Sequence, residues 1–443
     1  MPSQGTIGDR VRGLRLSRRM SQAQLAGPDL SDSYVSLIES GKRTPTPVVA
    51  RLLAERLGCT TEFLLHGIEP RQRIDTELSL RHAELELFHG DPAMAADRFS
   101  DIVKAAGEEN AMLAAHARFG RARALEAQGR IGRAVEAFER LRREAAAHPE
   151  RLAGLPLTVA LCRCYQRAGD LQRARDLGAQ ALSQVETLSV DQGELAVELA
   201  AALVETETGI PFVDRVLDAN GVTTVPDRTG EVLALWQASV TAAEGEDSAL
   251  AVQLAEDAIA AGRPARMATR MARIALRWAR MATTTTPAMG DLGRAGELAT
   301  AAGTVFAGFP GETLEHARSL IVLSHVRLRA GEPDSATDLA NRALDGLVGI
   351  RGTIPAGAYL VLAEVALTRS LDAGAELRKA QELLSVSTPQ PDRETARAWR
   401  ELGDLWGQAG ARENQARAYR RALEAVGIHA NVPGTAVPAV LTR

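Results

Sequence analysis

The chain has 443 residues, of which 24% are charged and only 4% aromatic, and its formal net charge is −4. That length exceeds what one hydrophobic core serves and calls for several domains or a repeat array. Three cysteines (Cys59, Cys162, Cys164) exclude a disulfide framework and suit a reducing cytoplasm, and no run of 18 apolar residues is present to span a membrane.

The first 20 residues are polar and arginine-rich, unlike a signal peptide. Charge is uneven: residues 1–70 carry +2 and the rest −6. Contact with a polyanion is therefore expected only in the N-terminal part. Alanine-rich stretches with few β-branched runs predict an all-α chain.

Ile7, Val11 and Leu14 recur at helical spacing, with Arg10, Arg12, Arg15, Arg18 and Arg19 around the polar side, either solvated or facing DNA. Ser21 caps a second short helix that Gly27-Pro28 ends. Ser31 caps a third, running to Glu39 or Ser40 and keeping Tyr34, Val35 and Ile38 for packing. Thr44-Pro45 starts a fourth with Val48, Leu52, Leu53 and Leu57 inward, and Thr60 or Thr61 caps a fifth around Phe63-Leu64-Leu65. Five short helices with a tight turn between the second and third follow the helix-turn-helix plan.

The string Ser21-Gln22, Leu25-Ala26, Ser31, Tyr34-Val35-Ser36, Ile38-Glu39, Gly41-Lys42-Arg43, Pro45 resembles the Xre/lambda-repressor-like (Cro/C1-type) helix-turn-helix family over roughly residues 7–66. One departure is a turn between helices two and three about one residue short of the family's usual length. The resemblance implies DNA binding through the third helix. Gln22 is then expected to touch a phosphate and brace the recognition helix, and Ser31 stands at that helix's start. Asp32, Ser33 and Ser36 are the expected base readers, since Asp accepts from cytosine N4 and Ser pairs with several bases. Tyr34 would meet a thymine methyl or a phosphate, and Lys42 and Arg43 the backbone. One such domain covers little DNA, so a homodimer on double-stranded DNA is implied.

From residue 71 a glycine followed about five residues later by alanine keeps returning, at Gly90, Gly129, Gly169, Gly290 and Gly331, with weaker copies at Gly209, Gly245, Ser370 and Gly410. The spacings, 36 to 45 residues, mean a helical solenoid with two helices per unit. Trp399, Leu402, Gly403, Trp406, Gly410, Tyr419 and Ala422 resemble the tetratricopeptide pattern, as do Ala122, Leu125, Gly129, Ala134, Phe138 and Leu141. The register is unsettled around residues 210–300. The expected organisation is a DNA-binding domain over 1–70, a tetratricopeptide-like sensor and dimerisation array over 71–426, and a flexible tail over 427–443 containing Pro433 and Pro438.

Taking each glycine as the turn, the residue six before it should line the concave face: Glu84, Arg123, Arg163, Leu203, Ser239, His325, Glu364 and Asp404. Such a groove suits a peptide or small ligand, with a peptide carboxylate near Arg123 and Arg163. A solvated charge stripe explains the same residues without a ligand.

An Xre-type head on such a body resembles two groups, the RRNPP peptide-pheromone receptors and the helix-turn-helix/tetratricopeptide regulators of actinobacteria. The pheromone receptors often hold peptide backbone with asparagines, and none of the five here falls in the stripe. No phosphate loop or zinc helix occurs. Cys162-x-Cys164 points to two sides of a helix, which suits packing rather than metal. Neither catalysis nor a cofactor is expected. The reading is a cytoplasmic transcriptional regulator; the alternative is a protein-binding scaffold whose head serves docking.

Overall fold

The structure is a computed structural model and describes residues 6–66, 70–105, 111–149, 151–188, 192–284, 291–386 and 393–427. The expected turn at Gly290 and the tail prolines Pro433 and Pro438 lie outside them. No strand occurs among the described residues. The helices are α1 Ile7–Ser17, α2 Gln22–Ala26, α3 Asp32–Glu39, α4 Pro47–Arg56, α5 Thr61–His66, α6 Pro70–His89, α7 Pro92–Ala105, α8 Ala111–Ala127, α9 Ile131–Ala147, α10 Gly154–Ala168 and α11 Leu171–Leu188. They continue as α12 Glu194–Leu203, α13 Ile210–Asn220, α14 Thr229–Glu244, α15 Ser248–Thr284, α16 Leu292–Ala307, α17 Thr313–Arg329, α18 Pro333–Asp345, α19 Thr353–Thr368, α20 Gly374–Leu384, α21 Arg393–Gln408 and α22 Arg412–Glu424.

The chain divides into two compact units that interleave in sequence. One holds Met1–Gln184 with Arg228–Arg263, the other Val185–Asp227 with Pro264–Arg443.

The first unit opens with α1–α5 around Val11, Leu25, Val35, Ile38, Leu53, Leu57 and Leu64, all wholly buried. Local signals place the helix starts. Ser21 and Gln24 form a reciprocal capping box on α2, the Ser31 hydroxyl accepts from the Tyr34 amide, and the Thr60 hydroxyl accepts from the Phe63 amide. Helix α4 differs from expectation: Thr46 caps it and Pro47 takes the first turn, so Val48 is 68% exposed and Val49 packs inward instead.

Three arginines expected around the polar side of α1 are tethers. Arg10 donates to the Leu64 and Leu65 carbonyls, Arg15 to Glu39 and the Met20 carbonyl, and Arg18 to the Gly58 carbonyl. Helices α1 and α3 meet at Gly8, where a β-carbon would lie 2.3 Å from the Ile38 carbonyl oxygen. That oxygen is backbone and moves only with α3. Gly8→Ala is therefore expected to cost about 2 kcal/mol or more. Hydrogen exchange of α1 and α3 in the full chain checks this, with Gly13→Ala, which meets nothing within 4 Å and should leave protection unchanged or raised, as the control.

The remainder is built from antiparallel helix pairs of tetratricopeptide-like type. The small-to-large packing expected from the repeat is present: Trp399, Leu402 and Trp406 are buried with Ala418 in one cluster, and Phe138 with Ala134 and Leu141 fills another pair. A second recurring device fixes three of the pairs. Cys162 Sγ donates to the Ala174 carbonyl (3.2 Å), Ser239 Oγ to Ala251 (2.6 Å) and Ser324 Oγ to Ala336 (2.5 Å). In all three, a buried small polar group on the first helix reaches the second helix beside the recurrent alanine.

The middle of the chain departs from a simple array. Helix α15 runs unbroken for 37 residues with Pro264 inside it, about 55 Å at 1.5 Å per residue. Its first part pairs with α14 in the first unit, where Leu78 and Leu85 of α6 pack with Val232, Ala251, Ala255 and Ala258. Its later part pairs with α16 in the second unit, where Ala268, Ala272, Leu276 and Ala279 meet Ala295, Ala299, Ala302 and Phe306. Residues of this one helix thus contribute to a pair in each unit.

Candidate nucleic-acid interface and solenoid inner face

Helix α3 splits its residues cleanly. Val35 and Ile38 are wholly buried and Tyr34 is half-buried, while Ser31, Asp32, Ser33 and Ser36 are exposed. Leu37, which sequence reasoning passed over, is 38% exposed beside Ser33 and Ser36. Its signal was available: an aliphatic residue adjacent to the inward Ile38 must point elsewhere on a helix.

After the helix the chain turns at Gly41, whose φ of 70° lies in the left-handed region. The Lys42 and Arg43 amides both return to the Leu37 carbonyl, at 3.0 and 3.2 Å, so the basic pair is fixed to the end of α3. The Arg43 guanidinium lies 4.9 Å from the centre of the Tyr34 ring, which restricts its side chain further.

Beneath this face lies a carboxylate whose role sequence reasoning missed. Glu39 is 8% exposed. Arg15 of α1 holds it from one side, Nε–Oε1 2.6 Å and Nη2–Oε2 3.0 Å, and Gln22 of α2 donates to Oε2 at 2.8 Å. Burial acts to raise the Glu39 pKa, but the hydrogen bonds from Arg15 and Gln22 and the nearby positive charges hold it below the ordinary carboxylate value. Gln22 therefore braces the recognition helix through Glu39. The short turn between α2 and α3 is fixed by Arg56 of α4, whose guanidinium binds the Leu25 and Ala26 carbonyls and Asp29.

The expected inner-face residues have varied surroundings. In the first unit Glu84 pairs with Arg81 at 3.2 Å, and the Arg123 guanidinium lies 5.6 Å from the Phe88 ring centre. Arg163, expected near a peptide carboxylate, already grips the buried Glu126 with two bonds of 2.6 and 2.7 Å, and Arg167 adds a third contact. Burial acts to raise the Glu126 pKa, and the hydrogen bonds and charges of these arginines hold it low.

Ser239 is not on that face. It is wholly buried, donates to Ala251 and lies 2.9 Å from His82 Nε2. The reason is a shifted turn: the left-handed residue of this pair is Glu246 (φ 62°), not Gly245, so counting back from the glycine lands one residue early. Ser370 (φ 58°) fills the same role later, where Gly129, Gly169, Gly331 and Gly410 do so elsewhere.

Within the second unit Leu203 is buried at 2% exposure. His325 of α17 lies 3.6 Å from Glu364 of α19 and 3.7 Å from Glu401 of α21, so the structure brings His325 and Glu364 together. Exposed Asp404 accepts from the Tyr419 hydroxyl at 2.6 Å. Cys162 and Cys164 are buried, and burial pushes their thiols up to about 11 and about 12. Among the described residues no cluster of His, Cys, Asp or Glu is placed to hold a metal ion, and no helix is long and apolar enough to cross a membrane.

Residues 11–64 match the family described as Helix-turn-helix, and the first five helices are a helix-turn-helix domain of the Xre/Cro type. The protein joins this domain to tetratricopeptide-like helix pairs. No curated protein matches the chain. Solved structures with similarity include a Rap protein complexed with Competence and Sporulation Factor, at 12% identity, covering 94% of this chain and 98% of that one, with a TM-score of 0.42. PlcR of Bacillus thuringiensis, solved with the peptide PapR7 and DNA, is 15% identical over 61% of this chain and 99% of its own, with a TM-score of 0.33. The apo quorum sensor NprR of B. thuringiensis is 14% identical over 79% and 98%, with a TM-score of 0.32.

Proposed function

We propose that this protein is a sequence-specific DNA-binding transcriptional regulator, acting as a cytoplasmic homodimer, whose helical repeats sense a peptide or small ligand. The observation that carries the reading is the exposed face of α3. Asp32, Ser33, Ser36 and Leu37 stand out from a helix otherwise given to the core, with Lys42 and Arg43 fixed at its end. The polar groups suit base edges in the major groove, and Leu37 suits a thymine methyl. Glu39, Arg15 and Gln22 hold that helix at one setting relative to α1 and α2.

Selection of bound duplexes from a random pool at fixed salt tests the reading. Paired half-sites about one helical turn apart are expected for a dimer. Ser33→Ala and Ser36→Ala should each relax choice at one position by about 1 kcal/mol or more, and Leu37→Ala should reduce preference for thymine at one position. Absence of salt-sensitive DNA binding, with recovery of one stoichiometric protein partner instead, would assign the head to docking.

A further inference from the structure

In the second unit the first helices of successive pairs carry a run of ion pairs. Glu198, on α12, meets Arg270, on α15, at 3.2 Å, and Arg273, also on α15, meets Glu312 at 2.6 Å. Arg318 of α17 reaches Glu315 at 3.2 Å and Glu394 of α21 at 2.9 Å. The Arg318–Glu394 link already passes over α19, and one further link runs from the last pair of the unit to the first. Arg397 of α21, in the last pair of the unit, grips Glu205, which follows α12 of the first pair, with Nη2–Oε2 at 3.0 Å and Nη1–Oε1 at 3.4 Å.

In a stack where each pair packs on its neighbours, the first and fifth meet only if the inner face curls until the ends touch. Glu205–Arg397 is that closing contact. Arg277 approaches the same place, donating to the Ala201 carbonyl at 3.4 Å. Burial acts to raise the Glu205 pKa; the Arg397 hydrogen bond and the charges of Arg397, Arg277 and Arg393 outweigh it and keep the carboxylate ionised. The two side chains are 47% and 27% exposed, against 11% and 5% for Arg15–Glu39. A pair so open to water is weak and exchangeable, whereas the enclosed one is a brace.

We propose that Arg397, with Arg277 and Arg393 beside it, is a carboxylate-binding site that the chain's own Glu205 occupies when the second unit is closed. A carboxylate-bearing ligand takes Glu205's place on the guanidinium fork and releases α12 from α21. No covalent bond changes; one two-pronged arginine–carboxylate contact replaces another. The proposal rests on the reading of the helical repeats as the sensing part and names the chemistry they sense.

Citrate titrated calorimetrically into the full-length protein without DNA is the test. Glu205→Gln removes the internal competitor, so it should bind citrate about three- to fivefold more tightly than the unsubstituted chain, equal to about 0.7–1 kcal/mol. Arg397→Gln should lose the binding. Arg397→Lys keeps the charge without the fork and should bind at an intermediate level, which covers failure of Arg397→Gln to fold. In the unsubstituted chain citrate should speed hydrogen exchange in residues 194–205 and 393–408, and sodium chloride at equal ionic strength should not. Unchanged affinity in Glu205→Gln, or undiminished affinity in Arg397→Gln, overturns the site. If citrate opens the contact and DNA affinity does not change, the site stands and the sensing reading falls.

Discussion

Glu39→Ala is expected to cost the N-terminal domain about 3 kcal/mol, the scale for breaking one side of a buried ion pair. The substitution leaves the Arg15 guanidinium, 11% exposed, without its carboxylate, and removes the acceptor of Gln22. A domain of some sixty residues has only about 3–9 kcal/mol to lose, so α1–α3 should be close to unfolding. Hydrogen exchange of residues 7–40 in the full chain should rise about a hundredfold. Helix pairs of the second unit should not respond; if they do, or if α3 keeps its protection, Glu39 is not the brace.

The same carboxylate gives the domain a pH dependence of definite sign. The Glu39 pKa is lowered by folding from the ordinary value of 4.5. Its contribution is therefore complete above the unfolded value and is lost as pH falls through the folded one. Protection of α1 and α3 should drop as pH is lowered past about 4.5, and Glu39→Gln should remove that component of the drop.

Lys42→Ala with Arg43→Ala should weaken binding to every DNA sequence by about a hundredfold at moderate salt. The basis is a charge-assisted hydrogen bond to phosphate from each residue, worth about 1.5 kcal/mol, or tenfold, apiece. The slope of log affinity against log salt should fall by about one for each residue. Base preference should survive, because the exposed side chains of α3 are untouched. Arg43→Ala alone also frees the Tyr34 ring from its cation contact, so its loss should slightly exceed that of Lys42→Ala. A changed sequence preference with an unchanged salt slope would move these residues from backbone to base contact.

The head and the repeats were legible in the sequence to different depths. Capping at Ser21, Ser31 and Thr60, and the apolar spacing of Val11, Val35, Ile38 and Leu53, are signals within a few residues, and they located five helices. The brace was not legible, because Glu39 meets Arg15 and Gln22 at separations of 24 and 17 residues on two other helices. The start of α4 was misplaced by the competition of two Thr-Pro steps, and Val48 was misassigned with it.

In the repeats, glycine marked the turns well where a left-handed residue is glycine, and misled where Glu246 takes that conformation beside Gly245. Pro264 stands inside α15 without breaking it. The proline removes one helical hydrogen bond, yet Ala255 and Ala258 before it and Ala268 and Ala272 after it are all held in cores.

The sequence by itself determined the all-α class, the helix-turn-helix head and a two-helix repeat near 40 residues. These follow from capping, periodicity and turn residues acting over one or two helical turns. Only the tertiary structure decided which residues share a unit, which arginines are tethers, and which carboxylates are already gripped by the chain itself. Arg163–Glu126 and Arg397–Glu205 have the residue types of ligand sites, and spacing alone cannot tell a guanidinium awaiting an anion from one that holds its own. The physical reason is that ion pairing depends on distance in space and on burial, and both are set by packing between helices far apart in the chain.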